Sequence, residues 1–202
     1  MTDPKTDPIR PVFPRAFLHP LRCTLIRVVC CVGALLPLSS QADNASVGDT
    51  APVFNATTIT GDVVRLAEFR GEKPVYLKFW ATWCSYCKAE MPHLKTIREQ
   101  YGDAVEVMTV NVGMNDSVAN INAFFQQQGY RLPTIFDAKG DLTSQYGVIG
   151  TPQHILIDER GEVVYRTFLA NDELDSQLAQ WARDAAMFSE QSKPRSLTHH
   201  RR

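Results

Sequence analysis

The sequence predicts an α/β fold in which a central mixed β-sheet is flanked by helices. Two strand-helix units come first, because β-rich runs at 75–80 and 105–112 are each followed by a helical pattern. Two further β-rich segments, at 154–158 and 163–169, are joined by a short turn and precede a last helix. The early alternation of strand and helix gives parallel strands, whereas the late hairpin adds antiparallel strands.

The folded part begins with a predicted hairpin at 56–66, whose Thr- and Val-rich segments flank a Thr-Gly-Asp turn. The apolar run at 75–80 is broken by a single lysine and is predicted to be the central strand. Helical spacing predicts the next helix at about 85–101, with a kink at Pro92 and an end at Gly102.

A second strand is predicted at 105–112, and the helix after it is capped by Asp116 or Ser117 and ended by Gly129. The remaining elements are a short strand at 134–137, a short helical piece at 142–146, the closing hairpin, and a final helix at about 172–188. No internal repeat interrupts this order.

Charge divides the 202 residues into three parts. Residues 1–42 hold five basic and two acidic side chains, residues 43–188 hold 12 and 19, and residues 189–202 hold four and one. We expect the acidic middle part to be the folded domain and the last part to be a disordered basic tail. The acidic domain argues against a nucleic-acid partner, because nucleic acid is bound through a basic surface.

Residues 1–42 have the pattern of an export segment. An apolar run at 28–38 follows a basic stretch, and Ser40 and Ala42 are small residues at the spacing that a signal peptidase needs. The apolar run is short for a bilayer span, which takes about 20 residues. We therefore expect a cleaved signal peptide and a periplasmic protein, with an uncleaved N-terminal anchor as the alternative.

The cysteines indicate redox chemistry. Cys23, Cys30 and Cys31 lie in the export segment, and only Cys84 and Cys87 follow it, so no cysteine is left for a structural framework. A Cys-x-x-Cys that opens a helix places the first sulfur over unpaired N–H groups, which favour a thiolate. Because the thiolate is the nucleophile in disulfide exchange, we expect Cys84 to attack and Cys87 to resolve.

The chain resembles the thioredoxin-fold thiol–disulfide oxidoreductases, and among them the exported TlpA/ResA-like branch. The resemblance covers about residues 48–181. It is carried by the segments at 79–84, 87–90, 110–113, 150–152 and 156–161, and by the additional helix and strand at about 116–136. It implies a thioredoxin-like fold with an N-terminal hairpin and an inserted helix and strand.

The resemblance implies a redox-active disulfide between Cys84 and Cys87, with no other cofactor and no metal. Ser85 and Tyr86 lie between the two cysteines and are expected to tune the reduction potential, which spans about −270 to −120 mV across this fold.

The resemblance also implies a substrate-binding platform. Thr151 and Pro152 match a pair that carries a cis peptide bond beside the cysteines in the family. The backbone of Thr151 is then expected to pair with an extended substrate beside Cys84. Trp83 is expected to shield the disulfide and to form part of the same platform.

Proton handling is expected to depend on Glu90. Many thioredoxins have a buried Asp at the position of Lys78, whereas ResA-like proteins place a Glu where Glu90 stands. We expect Glu90 to accept the proton of Cys87 and to raise thiol pKa values by charge repulsion, the alternative being an exposed helix residue.

Lys78 is expected to extend its ammonium outward, or else to sit near the thiols and favour the thiolate. His154 is expected to be packed or partly exposed rather than a base or ligand.

The function implied is the reduction of disulfides in exported proteins, of the kind that assemble cytochrome c or copper sites. Electrons would come from a thiol–disulfide donor in the membrane, and the oligomeric state is left open. One alternative is a disulfide oxidase or isomerase, and another is a copper chaperone that uses both cysteines with His93 or His154. A peroxiredoxin-type peroxidase is disfavoured, because Thr82 lies two residues before Cys84 instead of three.

Overall fold

The structure, a computed structural model, describes residues 45–191. The predicted signal peptide or anchor, and the tail from residue 192 onward, lie outside the described residues. In the described range, no helix is both long enough and apolar enough to cross a membrane.

Seven strands between residues 45 and 191 form two sheets. They are β1 (Asn55–Thr57), β2 (Val63–Arg65), β3 (Val75–Trp80), β4 (Glu106–Asn111), β5 (Thr134–Phe136), β6 (Gln153–Ile157) and β7 (Val163–Thr167). The larger sheet has the order β5-β4-β3-β6-β7, and β1 and β2 form the predicted antiparallel hairpin. β3 is parallel to β4 and antiparallel to β6, so the predicted mixed sheet is confirmed.

The central strand is β3, as its apolar run predicts. All six of its residues are buried. Because successive side chains of a strand point to opposite faces, Tyr76, Lys78 and Trp80 share one face of the sheet. On that face the indole of Trp80 stacks on Phe125, with ring centroids 5.6 Å apart. On the other face Phe79 contacts Tyr146.

Five α-helices and one short 3₁₀ helix accompany these strands within the described residues. They are α1 (Ser85–Ala89), α2 (Met91–Tyr101), α3 (Val118–Gln128), α4 (Asp141–Gln145) and α5 (Asp172–Gln191), with the 3₁₀ helix at Leu66–Phe69. The side chains of Leu94 and Ile97 in α2, and of Leu174 and Leu178 in α5, are buried.

The single kinked helix predicted at 85–101 is instead two helices that meet at Glu90. Pro92 lies in the first turn of α2. A proline has no N–H to donate, but the first N–H groups of a helix have no partner within the helix, so proline is well tolerated there. Pro92 therefore marks the start of a helix and not a bend within one.

At one other helix end the structure selects one of two predicted caps, and at another the helix extends beyond its predicted end. Ser117, not Asp116, caps α3, because its Oγ accepts a hydrogen bond from the N–H of Asn120 at 3.1 Å. Helix α5 continues to Gln191, three residues beyond the predicted end. No glycine or proline occurs between Phe188 and Gln191, so the local sequence has no residue that would stop the helix earlier.

Candidate active site at the start of helix α1

A disulfide joins Cys84 to Cys87, with their Cα atoms 5.2 Å apart. Cys84 is the N-cap of α1, and its Sγ accepts a hydrogen bond from the N–H of Cys87 at 3.1 Å. Cys84 is 6 % exposed, whereas Cys87 is fully buried. Of the two cysteines, only Cys84 therefore has surface that a reaction partner can reach, and it lies at the end of the helix where N–H groups favour a thiolate.

Trp83 lies beside this disulfide and is half exposed. Its Nε1–H donates a hydrogen bond of 2.7 Å to the carbonyl of Met114, in the segment that follows β4. The indole is thus fixed by the chain that leads into the inserted helix α3. Its exposed face is available as the predicted platform.

Asp116 holds the loop that precedes the cysteines. Its carboxylate accepts hydrogen bonds from the N–H of Thr82 at 2.7 Å, from the Thr82 hydroxyl at 2.8 Å, and from the amide of Asn111 at 2.8 Å. Burial alone raises the pKa of Asp116, but these hydrogen bonds outweigh burial and lower it. The sequence indicated Asp116 only as a possible helix cap, because a hydrogen bond across 34 residues leaves no local pattern.

The peptide bond between Thr151 and Pro152 is cis, as the resemblance implies. Thr151 and Trp83 line one groove of about 290 Å³, together with Met114 and Ile149. Ile149 is 91 % exposed, so this groove opens to solvent between apolar side chains. The structure therefore brings two of the three predicted substrate-binding residues, Trp83 and Thr151, to one groove, whereas Pro152 is buried.

Ser85 and Tyr86 form the first turn of α1, and both are exposed. Their influence on the reduction potential stays a prediction.

Lys78 differs from its expected outward orientation. Its side chain is fully buried, and its Nζ lies 2.9 Å from Oε2 of Glu90. The same ammonium donates a hydrogen bond of 3.4 Å to the backbone carbonyl of Cys87. The predicted outward orientation was wrong because both faces of β3 are covered, and Glu90 supplies the opposite charge that a buried lysine requires.

Glu90 connects the junction of α1 and α2 to three other parts of the fold. Its Oε2 accepts hydrogen bonds from Lys78 at 2.9 Å and from Nε2 of His154 at 3.0 Å, and its Oε1 accepts one from the N–H of Ala170 at 2.8 Å. Burial alone raises the pKa of Glu90, but the hydrogen bonds lower it to about 2. Glu90 is therefore ionised throughout the neutral range, and such a carboxylate is a weak proton acceptor there.

His154 is buried on β6, directly opposite Lys78 in the register of β3 and β6. Its Nδ1 lies 2.6 Å from the hydroxyl of Tyr76 and its Nε2 lies 3.0 Å from Glu90. Because an ionised carboxylate can only accept, Nε2 carries the proton and Nδ1 accepts from Tyr76. Burial lowers the pKa of His154, which keeps the ring neutral. The strand that follows Pro152 was the available sequence signal for this placement.

These contacts bear on the histidines that were considered as copper ligands. Both ring nitrogens of His154 already have partners, and His93 lies 3.1 Å from a carboxylate oxygen of Asp175. Across residues 45–191, no group of three or more His, Cys, Asp or Glu side chains is arranged to hold a metal ion.

Comparison with known proteins gives one consistent group of relatives. The AhpC/TSA family matches residues 47–166. The thiol-disulfide oxidoreductase ResA of Bacillus cereus (strain ATCC 10987 / NRS 248) is 32 % identical over 126 residues, which are 62 % of this chain and 71 % of that protein. ResA of Geobacillus thermodenitrificans (strain NG80-2) is 37 % identical over 119 residues, which are 58 % of this chain and 67 % of that protein.

Solved structures agree with these relatives. The exposed lipoprotein thioredoxin Etrx1 of Streptococcus pneumoniae strain TIGR4 has a TM-score of 0.55 and 31 % identity, over 65 % of this chain and 99 % of that one. StoA of Bacillus subtilis has a TM-score of 0.56 and 28 % identity, over 65 % of this chain and 96 % of that one. The thioredoxin-like fold predicted from the sequence is confirmed.

Proposed function

We propose a direction of electron flow and a substrate class for this chain, which belongs to the AhpC/TSA family and is a thiol–disulfide oxidoreductase. The reduced chain donates electrons to disulfides of exported proteins in the periplasm. The observation that carries this proposal is the disulfide at the start of α1, in which Cys84 directly follows Trp83, a residue that lines an open apolar groove. The resemblance to the TlpA/ResA-like branch favours the reductive direction, and the likeness to an exposed lipoprotein thioredoxin supports the compartment.

The proposed reaction begins with both cysteines reduced. The thiolate of Cys84 attacks one sulfur of a substrate disulfide, forms a mixed disulfide, and releases the other substrate sulfur as a thiolate. The thiolate of Cys87 then attacks Sγ of Cys84, which re-forms the Cys84–Cys87 disulfide and releases the second substrate sulfur. Two electrons pass to the substrate, and the released thiolates take up protons from the solvent. The difference in exposure between the two cysteines supports this order.

Recognition in this proposal uses the groove beside the disulfide. An extended segment of the substrate pairs with the backbone of Thr151, and a neighbouring apolar side chain enters the groove against Trp83. The redox-active disulfide serves as the only cofactor. The electron donor is a thiol–disulfide protein of the membrane, and the substrates belong to cytochrome c or copper-site assembly.

The reduction potential of the Cys84–Cys87 pair tests the direction. Equilibration of the protein with glutathione buffers of defined ratio, followed by separation of the oxidised and reduced forms, gives the potential directly. We expect a value below about −200 mV, because a reductase must be more reducing than its substrates. A value near −120 mV, typical of an oxidase, would contradict the proposal. The Cys87→Ser variant is the control, since it has no internal two-electron couple.

A further inference from the structure

A buried polar cluster lies beneath the resolving cysteine, and the reaction described above makes no use of it. Its members are Tyr76 and Lys78 of β3, Glu90 between α1 and α2, and His154 of β6. A lysine that is fully buried is costly unless it is paired, and Lys78 points its ammonium at the carboxylate of Glu90. Because burying this ion pair is costly, we ask how the pair affects the reaction of Cys87, which lies next to it.

The position of the ion pair relative to Cys87 supplies that explanation. The Nζ of Lys78 contacts the carbonyl of Cys87 at 3.4 Å and Oε2 of Glu90 at 2.9 Å. The Lys78 ammonium thus lies between the Glu90 carboxylate and the backbone of the resolving cysteine, in contact with both. An uncompensated negative charge at this range opposes formation of a second negative charge on the thiol. An ammonium between them offsets that repulsion.

We propose that Lys78 is a positioning residue for Cys87. Its buried ammonium compensates the charge of Glu90, so that the resolving cysteine forms its thiolate beside a neutral pair and not beside a lone carboxylate. The proposal rests on the role of Cys87 as the resolving cysteine. Lys78 touches neither substrate nor the reacting sulfurs, and it acts through the charge of Glu90.

The other charged and titratable groups around the pair do not replace this compensation. They are His154 on β6, Tyr76 on β3, His93 on α2 and Asp175 on α5. Burial lowers the pKa of His154 and raises that of Tyr76, so both are neutral near pH 7. The imidazole of His93 and the carboxylate of Asp175 lie 3.1 Å apart and face each other. Lys78 is therefore the cation that Glu90 contacts within the described residues.

The ionisation of Cys87 in the reduced, full-length protein tests this proposal. The carbon-NMR chemical shift of the Cys87 Cβ, followed against pH, gives the midpoint of that ionisation without any substrate. We expect Lys78→Met to raise the midpoint by about one unit, a tenfold loss of thiolate at a fixed pH. Adding Glu90→Gln to Lys78→Met should return the midpoint to within a few tenths of the wild-type value, because both charges are then absent.

Two further variants make the result specific. Lys88→Met removes an exposed lysine from α1 and should leave the midpoint unchanged. Glu90→Gln alone should lower the Cys87 midpoint, because the Lys78 ammonium then has no counter-charge. This shift is opposite in sign to that of Lys78→Met, and it tests the proposal even if Lys78→Met does not fold. An unchanged midpoint in Lys78→Met, or a shift that persists in the double variant, would overturn the proposal.

The test separates this proposal from the direction of electron flow. The Cys87 midpoint is measured in the absence of a substrate, whereas the direction depends on the reduction potential of the wild-type pair. A potential typical of an oxidase together with the expected midpoints would overturn the direction and leave the role of Lys78 in place.

Discussion

At the scale of single residues, the site depends on a few buried side chains whose charges are matched. Glu90 accepts three hydrogen bonds, from Lys78, His154 and the N–H of Ala170. The sequence indicated that Glu90 was important, but it did not indicate which groups would surround it. Lys78 lies on β3, and His154 lies on β6, 64 residues from Glu90. No local sequence spacing therefore predicts that these side chains are in contact.

The low pKa of Glu90 predicts a specific loss of stability in acid. The folded-state pKa of about 2 lies below the ordinary value of 4.5, so the stabilisation is present above about pH 4.5 and is lost as pH falls toward 2. We expect the free energy of unfolding of the wild type to fall over this range by about 1–3 kcal/mol more than that of Glu90→Gln, after allowance for partial exposure of the carboxylate. Urea unfolding at a series of pH values measures the free energy of unfolding of both proteins. If it changes with pH in the same way in both, Glu90 is not the source of the acid destabilisation.

At the scale of structural elements, the inserted segment after β4 supports the active-site loop. Asp116 binds the backbone of Thr82, and the carbonyl of Met114 accepts the indole N–H of Trp83. The sequence predicted helix α3 and its end at Gly129, because capping and helical periodicity are local properties. It could not predict that the residues just before α3 would hold the loop at 82–83.

Removal of the Asp116 charge should loosen this loop. Both carboxylate oxygens of Asp116 accept hydrogen bonds. In Asp116→Asn, one of these oxygens is replaced by an NH2 group, which cannot accept, so at least one hydrogen bond is lost. We expect a destabilisation of about 1–3 kcal/mol in urea unfolding. We also expect a KM for a disulfide substrate about threefold or more above the wild-type value, because Trp83 directly follows Thr82 and the backbone that positions it is less restrained.

The matched control is Asp103→Asn, which changes an exposed aspartate in the loop after α2. It should alter neither the stability nor the KM. An Asp116→Asn variant with the stability and KM of the wild type would show that the loop does not need this carboxylate.

At the scale of the whole molecule, the sheet order explains how much of the fold was predictable. A six-residue apolar run, two strand-helix units and a closing hairpin permit few other arrangements, and β3 is indeed the middle strand. The orientation of Lys78 was not predictable from its neighbours, because it depends on the counter-charge that the α1–α2 junction places over β3. Strand positions follow from local pattern, whereas buried charge pairs follow from the assembled fold.

The same sheet order predicts how amide protection is distributed. β3 has hydrogen-bonded neighbours on both sides and is buried along its whole length, whereas β1 and β2 are three residues each and partly exposed. Native-state hydrogen exchange should therefore be slowest in β3 and faster in the β1–β2 hairpin by at least about tenfold. Equal protection of the hairpin and the central strand would mean that the two open together.

The two sides of the disulfide are held by different parts of the chain. Trp83 is fixed by the segment at 112–117, whereas Cys87 lies over a cluster drawn from β3, β6 and the α1–α2 junction. In the proposed mechanism, the choice of substrate depends on one of these sides and the ionisation of Cys87 on the other, so the two would vary independently. On that basis, substitutions in the segment at 112–117 would change the substrate without changing the reduction potential, which makes this segment the first choice for engineering.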